Sequence, residues 1–257
     1  MKYNVLGSYK AFLEGSLRPE TARTYYNRLD ILLQGQSVLD ITKSLDMEKI
    51  LENLSKIKYK NHFSQSKNAL LYFLKFQNIQ LSDEHMKQIE QLEKNTRKKY
   101  RKLNAKNFEE IDKKIKHLRN KKLKLSYQTM LETGLRVSEL AQITPLNSSI
   151  SDDEICFSFT AKGGNKEEVK ISKKENPRLF ENLKETIEMA MENKKIFYSA
   201  IHLQREAKKL GFACHDLRRA FAKLEYKKTK SKDDVSSKLR HTNIKTTDIY
   251  LRSKLKI

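Results

Sequence analysis

Along most of this chain apolar residues recur at three- and four-residue intervals, the spacing that lines one face of an α-helix. In the first part the pattern predicts helices over Pro19–Leu33, Asp46–Ile57, Phe63–Phe76 and Asp83–Lys94. Pro19 and Ser82 suit helix starts, because proline is preset for the first turn and a serine hydroxyl can accept from a free backbone N–H. Between Lys94 and Asn104 the sequence KNTRKKYRKLN is dense in charge and poor in apolar residues. It predicts a linker. The helical pattern resumes in NAKNFEEIDKKIKHL, with Asn104 or Asn107 as its cap.

One stretch departs from helix. Glu154–Thr160 (EICFSFT) is rich in β-branched and aromatic residues, AKGGN offers turn residues, and Lys166–Ser172 (KEEVKIS) alternates again. These features predict a β-hairpin. Helical patterns follow over Leu179–Asn193, Ser199–Leu210, Asp216–Lys227 and Asp233–Leu239, with a last short segment carrying Thr246–Leu251. The expected fold class is mainly α with a small β-hairpin, in two domains: a helical one over residues 1–93, a basic linker over 94–103, and a larger one over 104–257.

Composition sharpens this picture. The 257 residues are 38% hydrophobic, enough for real cores, yet 53 Lys+Arg against 32 Asp+Glu leave a formal charge of +21. Such an excess repels itself unless a polyanion is near, which points to nucleic acid. A membrane partner is disfavoured, since no apolar run approaches the roughly 20 residues a spanning helix needs. The N-terminal MKYNVLGSYKAFLEG lacks a signal-peptide core, so a cytoplasmic, nucleoid-associated location is expected. Cys156 and Cys214 stand far apart without metal-ligand spacing and read as reduced packing residues.

Three segments carry the chemistry: TGLRVSEL (Thr133–Leu140), HDLRRAFA (His215–Ala222) and LRHTNIKTTDIYL (Leu239–Leu251). Each is weak alone. Their order and spacing, an Arg after a Thr-Gly-Leu turn, a hairpin with a Lys, an HDLR, then a His nine residues before a Tyr, resemble the tyrosine recombinase (phage integrase) family, which includes Cre and the Xer recombinases. The resemblance runs from Leu103 to Leu251. It extends more loosely to RPETARTYYNRLDILL, which is similar to the opening of the family's core-binding domain.

The resemblance implies a helical core-binding domain and a catalytic domain that close around duplex DNA, and cleavage through a covalent 3′-phosphotyrosine with no cofactor or metal. Tyr250 would be the nucleophile, Arg136 and Arg218 would grip the phosphate, His215 would accept the tyrosine proton, and His241 would donate to the phosphate. A hairpin lysine would protonate the leaving oxygen; Lys162 in AKGGN matches best, with Lys166 and Lys170 as competitors. The residue types suit the task. Two guanidiniums can offset phosphate charge without a metal, and a phenol of pKa near 10 needs a base and a positive field to attack. Glu139 and Asp216, inside the motifs, fit arginine orientation and helix capping.

Partners implied are double-stranded DNA with paired inverted-repeat sites, and copies of the chain itself as dimers and a tetramer. Two departures stand out. Arg240 occupies the place where the family most often has Gly, which either reshapes the turn or adds a phosphate contact, and only LRSKLKI follows Tyr250 where many relatives carry a further docking helix. Competing readings are a type IB topoisomerase-like relaxing enzyme and a DNA-binding relative that has lost catalysis.

Overall fold

The structure, a computed structural model, describes residues 2–34, 36, 45–97, 107–191 and 194–257. The chain forms two compact units, Met1–Lys102 and Leu103–Ile257.

The first unit contains α1 (Lys2–Ser16), α2 (Pro19–Leu32), α3 (Met47–Ser55), α4 (Lys60–Phe76) and α5 (Asp83–Lys94). Pro19 opens α2, and the side chains of Asp46 and Ser82 accept from Lys49 N and His85 N at the starts of α3 and α5. The helical spacing did not predict α1, whose Gly7 and Gly15 disfavour helix. Packing overrides that preference: Tyr9 and Leu13, one turn apart, are fully buried, and Tyr9 Oη donates to Ala69 O at 3.0 Å. Of the expected linker, Lys94 ends α5 and Arg97 pairs with the Tyr59 segment through Lys60 N to Arg97 O, 3.1 Å. Residues 98–104 lie outside the described residues.

The second unit contains α6 (Phe108–Lys116), α7 (Lys121–Thr133), α8 (Val137–Leu140), β1 (Ser148–Ile150), β2 (Glu154–Thr160), β3 (Lys166–Ser172), α9 (Pro177–Glu188), α10 (Ala200–Lys209), α11 (Cys214–Thr229), α12 (Lys232–Lys238) and α13 (Lys245–Leu251). Asn107 caps α6, accepting from Glu109 N. The hairpin β2–β3 falls on the predicted residues, with Phe157 opposite Val169 and Thr160 opposite Lys166. Ile155, Phe157 and Phe159 point into the core in alternation. A short third strand, β1, pairs antiparallel with β2. Three residues were too few for a period to show.

Helix α9 stops at Glu188, since Met189 and Met191 have no core to face and are 79% and 78% exposed; the expected end at Asn193 lies outside the described residues. Central helix α7 is buried on several sides, and its polar residues tolerate this by bonding back to their own helix: Ser126 Oγ to Lys122 O, Thr129 Oγ1 to Leu125 O and Thr133 Oγ1 to Thr129 O. Cys156 and Cys214 are free thiols, the latter buried. The segment after Tyr250 folds onto its own unit, with Phe108 N donating to Lys256 O at 2.9 Å, Lys223 Nζ reaching Ser253 O and Leu255 O, and Leu255 in the core. Among the described residues no helix is long and apolar enough to cross a membrane.

Candidate active site

The site is built where the ends of α7, α8, α11, α12 and α13 meet. Gly134 ends α7 with φ 62°, a left-handed turn that sends the chain abruptly into α8. An added Cβ there would stand 2.5 Å from Phe221 Cδ1, so only glycine fits. Two residues on, Arg136 caps α8. Its backbone N donates to Glu139 Oε2 at 2.8 Å and its Nη1 to Glu139 Oε1 at 2.6 Å. Glu139 is 1% exposed while Arg136 is 23% exposed, so the carboxylate is the buried anchor and the guanidinium its partly open partner.

Helix α11 starts at Cys214, one residue before HDLR, with Ala213 at its N-cap. Asp216, three residues into the cap, accepts from Ala213 N at 2.9 Å and pairs with Arg219 Nη1 at 3.0 Å. It therefore caps the helix, as its place in the motif led one to expect. His215 and Arg218, three apart, share a helix face. Arg218 is fully buried, and its two terminal nitrogens donate to Gly134 O and Leu239 O. The residue thus ties the α7 turn to the α12 turn, while its Nε has no partner among the described residues.

Helix α12 closes with Arg240 N bonded to Ser237 O at 2.8 Å and His241 N to Ser236 O at 3.0 Å, a paired-bond helix end in which Arg240 takes the left-handed position (φ 53°). Arginine has kept the glycine-type turn. His241 then directs Nδ1 to Thr247 Oγ1 at 2.8 Å on α13, leaving its buried Nε2 without a partner among the described residues.

Tyr250 lies at the centre, 6% exposed and packed with Phe221, Val235 and Leu239. Both histidine rings meet it edge-on at 5.0 Å between centroids, and Arg218 Cζ is 5.9 Å from its ring centre. His215 is open to solvent on one side. The protein packed on its other sides, then the charges of Arg219 and Arg218, push its pKa down to about 4. Burial, followed by Arg218 and Arg136, does the same for His241, also to about 4. Both imidazoles are therefore neutral at pH 7, each with a lone pair to accept a proton or a hydrogen to donate.

The structure brings Arg136, His215, Arg218, His241 and Tyr250 together and leaves Lys162 apart. Lys162 sits exposed at the tip of the hairpin, whose turn closes through Ala161 N to Asn165 O at 2.8 Å. Of its competitors, Lys170 is engaged with Glu154 at 2.8 Å, and that hydrogen bond raises its pKa, which makes it a poorer acid. Lys166 is exposed at the start of β3, opposite Thr160. Among the described residues no group of three or more His, Cys, Asp or Glu could hold a metal. The site is instead rich in donors: three guanidiniums, of Arg136, Arg218 and Arg240, surround the Glu139 carboxylate. Such a place accepts an anion.

The family model described as the phage integrase family matches residues 99–256, more than half of the chain and every residue of this site. The chain belongs to the phage integrase family. No curated protein matches it by sequence. Solved structures of integrases share its fold: a lambda integrase fragment, crystallised as a dimer bound to a COC′ core site, has TM-score 0.64 at 17% identity, covering 99% of this chain and 98% of that one. The Tn1549 transposon integrase, in complex with circular intermediate DNA, has TM-score 0.60 at 16% identity, covering 97% and 95%. The XerH site-specific recombinase, in a pre-cleavage complex with its difH substrate, has TM-score 0.58 at 18% identity, covering 88% and 74%. In this integrase the mainly helical fold with a small sheet gathers Arg136, His215, Arg218, His241 and Tyr250 at its helix ends.

Proposed function

We propose that this integrase is a site-specific DNA recombinase that cleaves and rejoins DNA through a 3′-phosphotyrosine on Tyr250. The observation that carries the reading is the placement of Tyr250 between two neutral histidines and beside a buried arginine. The Tyr250 oxygen attacks phosphorus and the P–O5′ bond breaks. His215 takes the phenolic proton, Lys162 delivers one to the departing O5′, and the reverse sequence reseals the strand. Arg136 and Arg218 supply positive field at the phosphate, and His241 Nε2 donates to one of its oxygens. Energy of the cleaved bond is kept in the phosphotyrosine, so no cofactor is consumed.

The substrate is double-stranded DNA with paired inverted-repeat sites, on which copies of the chain assemble as dimers and a tetramer. The formal charge of +21 suits a phosphate backbone. A cytoplasmic location, on the nucleoid, follows from that substrate. A nicked duplex that loses its short 5′-hydroxyl strand after cleavage tests the reading, because the adduct can no longer reseal. The expected result is a denaturation-resistant protein–DNA adduct, with strand exchange only between two paired sites. Relaxation of supercoiled DNA without any need for paired sites would mark a topoisomerase instead.

A further inference from the structure

Arg240 occupies a left-handed backbone position (φ 53°) that favours glycine and is unfavourable for a long side chain. Its side chain is nevertheless drawn inward, only 9% exposed. Nη1 donates to Lys238 O at 2.9 Å, and the guanidinium lies over the Phe159 ring at 5.3 Å, near the end of the strand that leads to Lys162. Nη2 is 4.0 Å from Glu139 Oε2, the oxygen that already accepts from Arg136 N and lies 3.9 Å from Arg218 Nη1. Nε and Nη2 are buried with no hydrogen-bond partner among the described residues. Two desolvated N–H groups left without acceptors are unfavourable, and burial lowers the pKa of this guanidinium in consequence.

Charge says what would satisfy them. Arg136, Arg218 and Arg240 around Glu139 leave two net positive charges, since both histidines are neutral. A phosphodiester carries one negative charge, and its five-coordinate transition state carries two. As the phenolic proton passes to His215, that imidazolium offsets part of the charge the phosphoryl oxygens gain, and Arg240 sets a further donor against those oxygens, where it accelerates the reaction rather than tightening binding.

We propose that Arg240 is a third phosphate-binding arginine of the reaction, its Nε and Nη2 donating to the scissile phosphodiester as charge accumulates. The inference rests on the reading of the site as a DNA-cleaving one. Arg240→Gly is a clean test, because the left-handed backbone suits glycine and the variant should melt no lower than the parent.

At saturating nicked duplex, R240G should cleave about 100-fold more slowly with affinity within about threefold of the parent, the loss expected for one transition-state donor. Replacing the scissile phosphate with a methylphosphonate removes one negative charge from ground and transition states alike. On that substrate the deficit of R240G should shrink below about tenfold, because less charge remains to be offset. Cleavage of the phosphodiester at the parental rate overturns the inference, as does an equal deficit on both substrates, which would make Arg240 a residue that shapes the turn. If the parent itself forms no adduct, the cleavage reading fails, an outcome distinct from a parent and R240G that cleave alike.

Discussion

The ring of Tyr250 stands edge-on to that of His215, with centroids 5.0 Å apart and planes at 87°. An imidazole so placed can take a phenolic proton only if it is neutral, and a pKa of about 4 keeps it so. The same depression has a thermodynamic signature. Between pH 6.5 and 4 the unfolded chain binds protons that His215 and His241 refuse in the fold, so stability falls as pH is lowered through that window and is insensitive to these groups above it. A bound phosphate pulls the other way and raises both values. DNA binding near pH 5.5 should therefore take up protons and tighten as pH falls from 7 towards 5. Calorimetry in two buffers of different protonation enthalpy reads this directly; proton release would contradict it.

Gly134 separates the central helix from Arg136 and is held at φ 62° against Phe221 and Leu239. Gly134→Ala meets a backbone penalty of about 1–2 kcal/mol and an overpacking cost of about 1–3 kcal/mol. Urea denaturation should show a loss of roughly 2–5 kcal/mol on adding these two effects. A variant as stable as the parent would mean that the turn is not so tightly set.

Much of this was legible in the chain, for identifiable reasons. The hairpin residues emerged because Ile155, Phe157 and Phe159 alternate strictly and two glycines follow them, and the motif residues because their order is informative where each alone is not. Helix α1 was hidden by Gly7 and Gly15, since its stability comes from Tyr9 and Leu13 in a core the local sequence does not reveal. In α7 the buried threonines bond to their own helix and blur the polar face. Glu139 was legible as an arginine partner, but not as the carboxylate shared by three guanidiniums, because Arg240 joins it only through the fold.

Lys162 stands at an exposed hairpin tip, where a flexible ammonium can reach a docked backbone. Lys162→Ala should leave affinity nearly unchanged and slow cleavage by about 100- to 10,000-fold, the range for loss of a general acid. A substrate with sulfur in place of the 5′-bridging oxygen needs no proton on departure and should restore the variant's rate. Failure of that rescue would move the acid elsewhere, with Lys166 next.

The central claim is that the Tyr250 oxygen becomes bonded to DNA. Trapping the chain on nicked duplex in excess EDTA, digesting it, and mapping the nucleotide-bearing peptide by mass spectrometry tests this most directly. The account predicts a single modified peptide carrying its nucleotide on Tyr250, and none from Tyr250→Phe, which should still bind DNA. A nucleotide on another tyrosine, such as Tyr226 or Tyr198, or an adduct that survives in Tyr250→Phe, would contradict it.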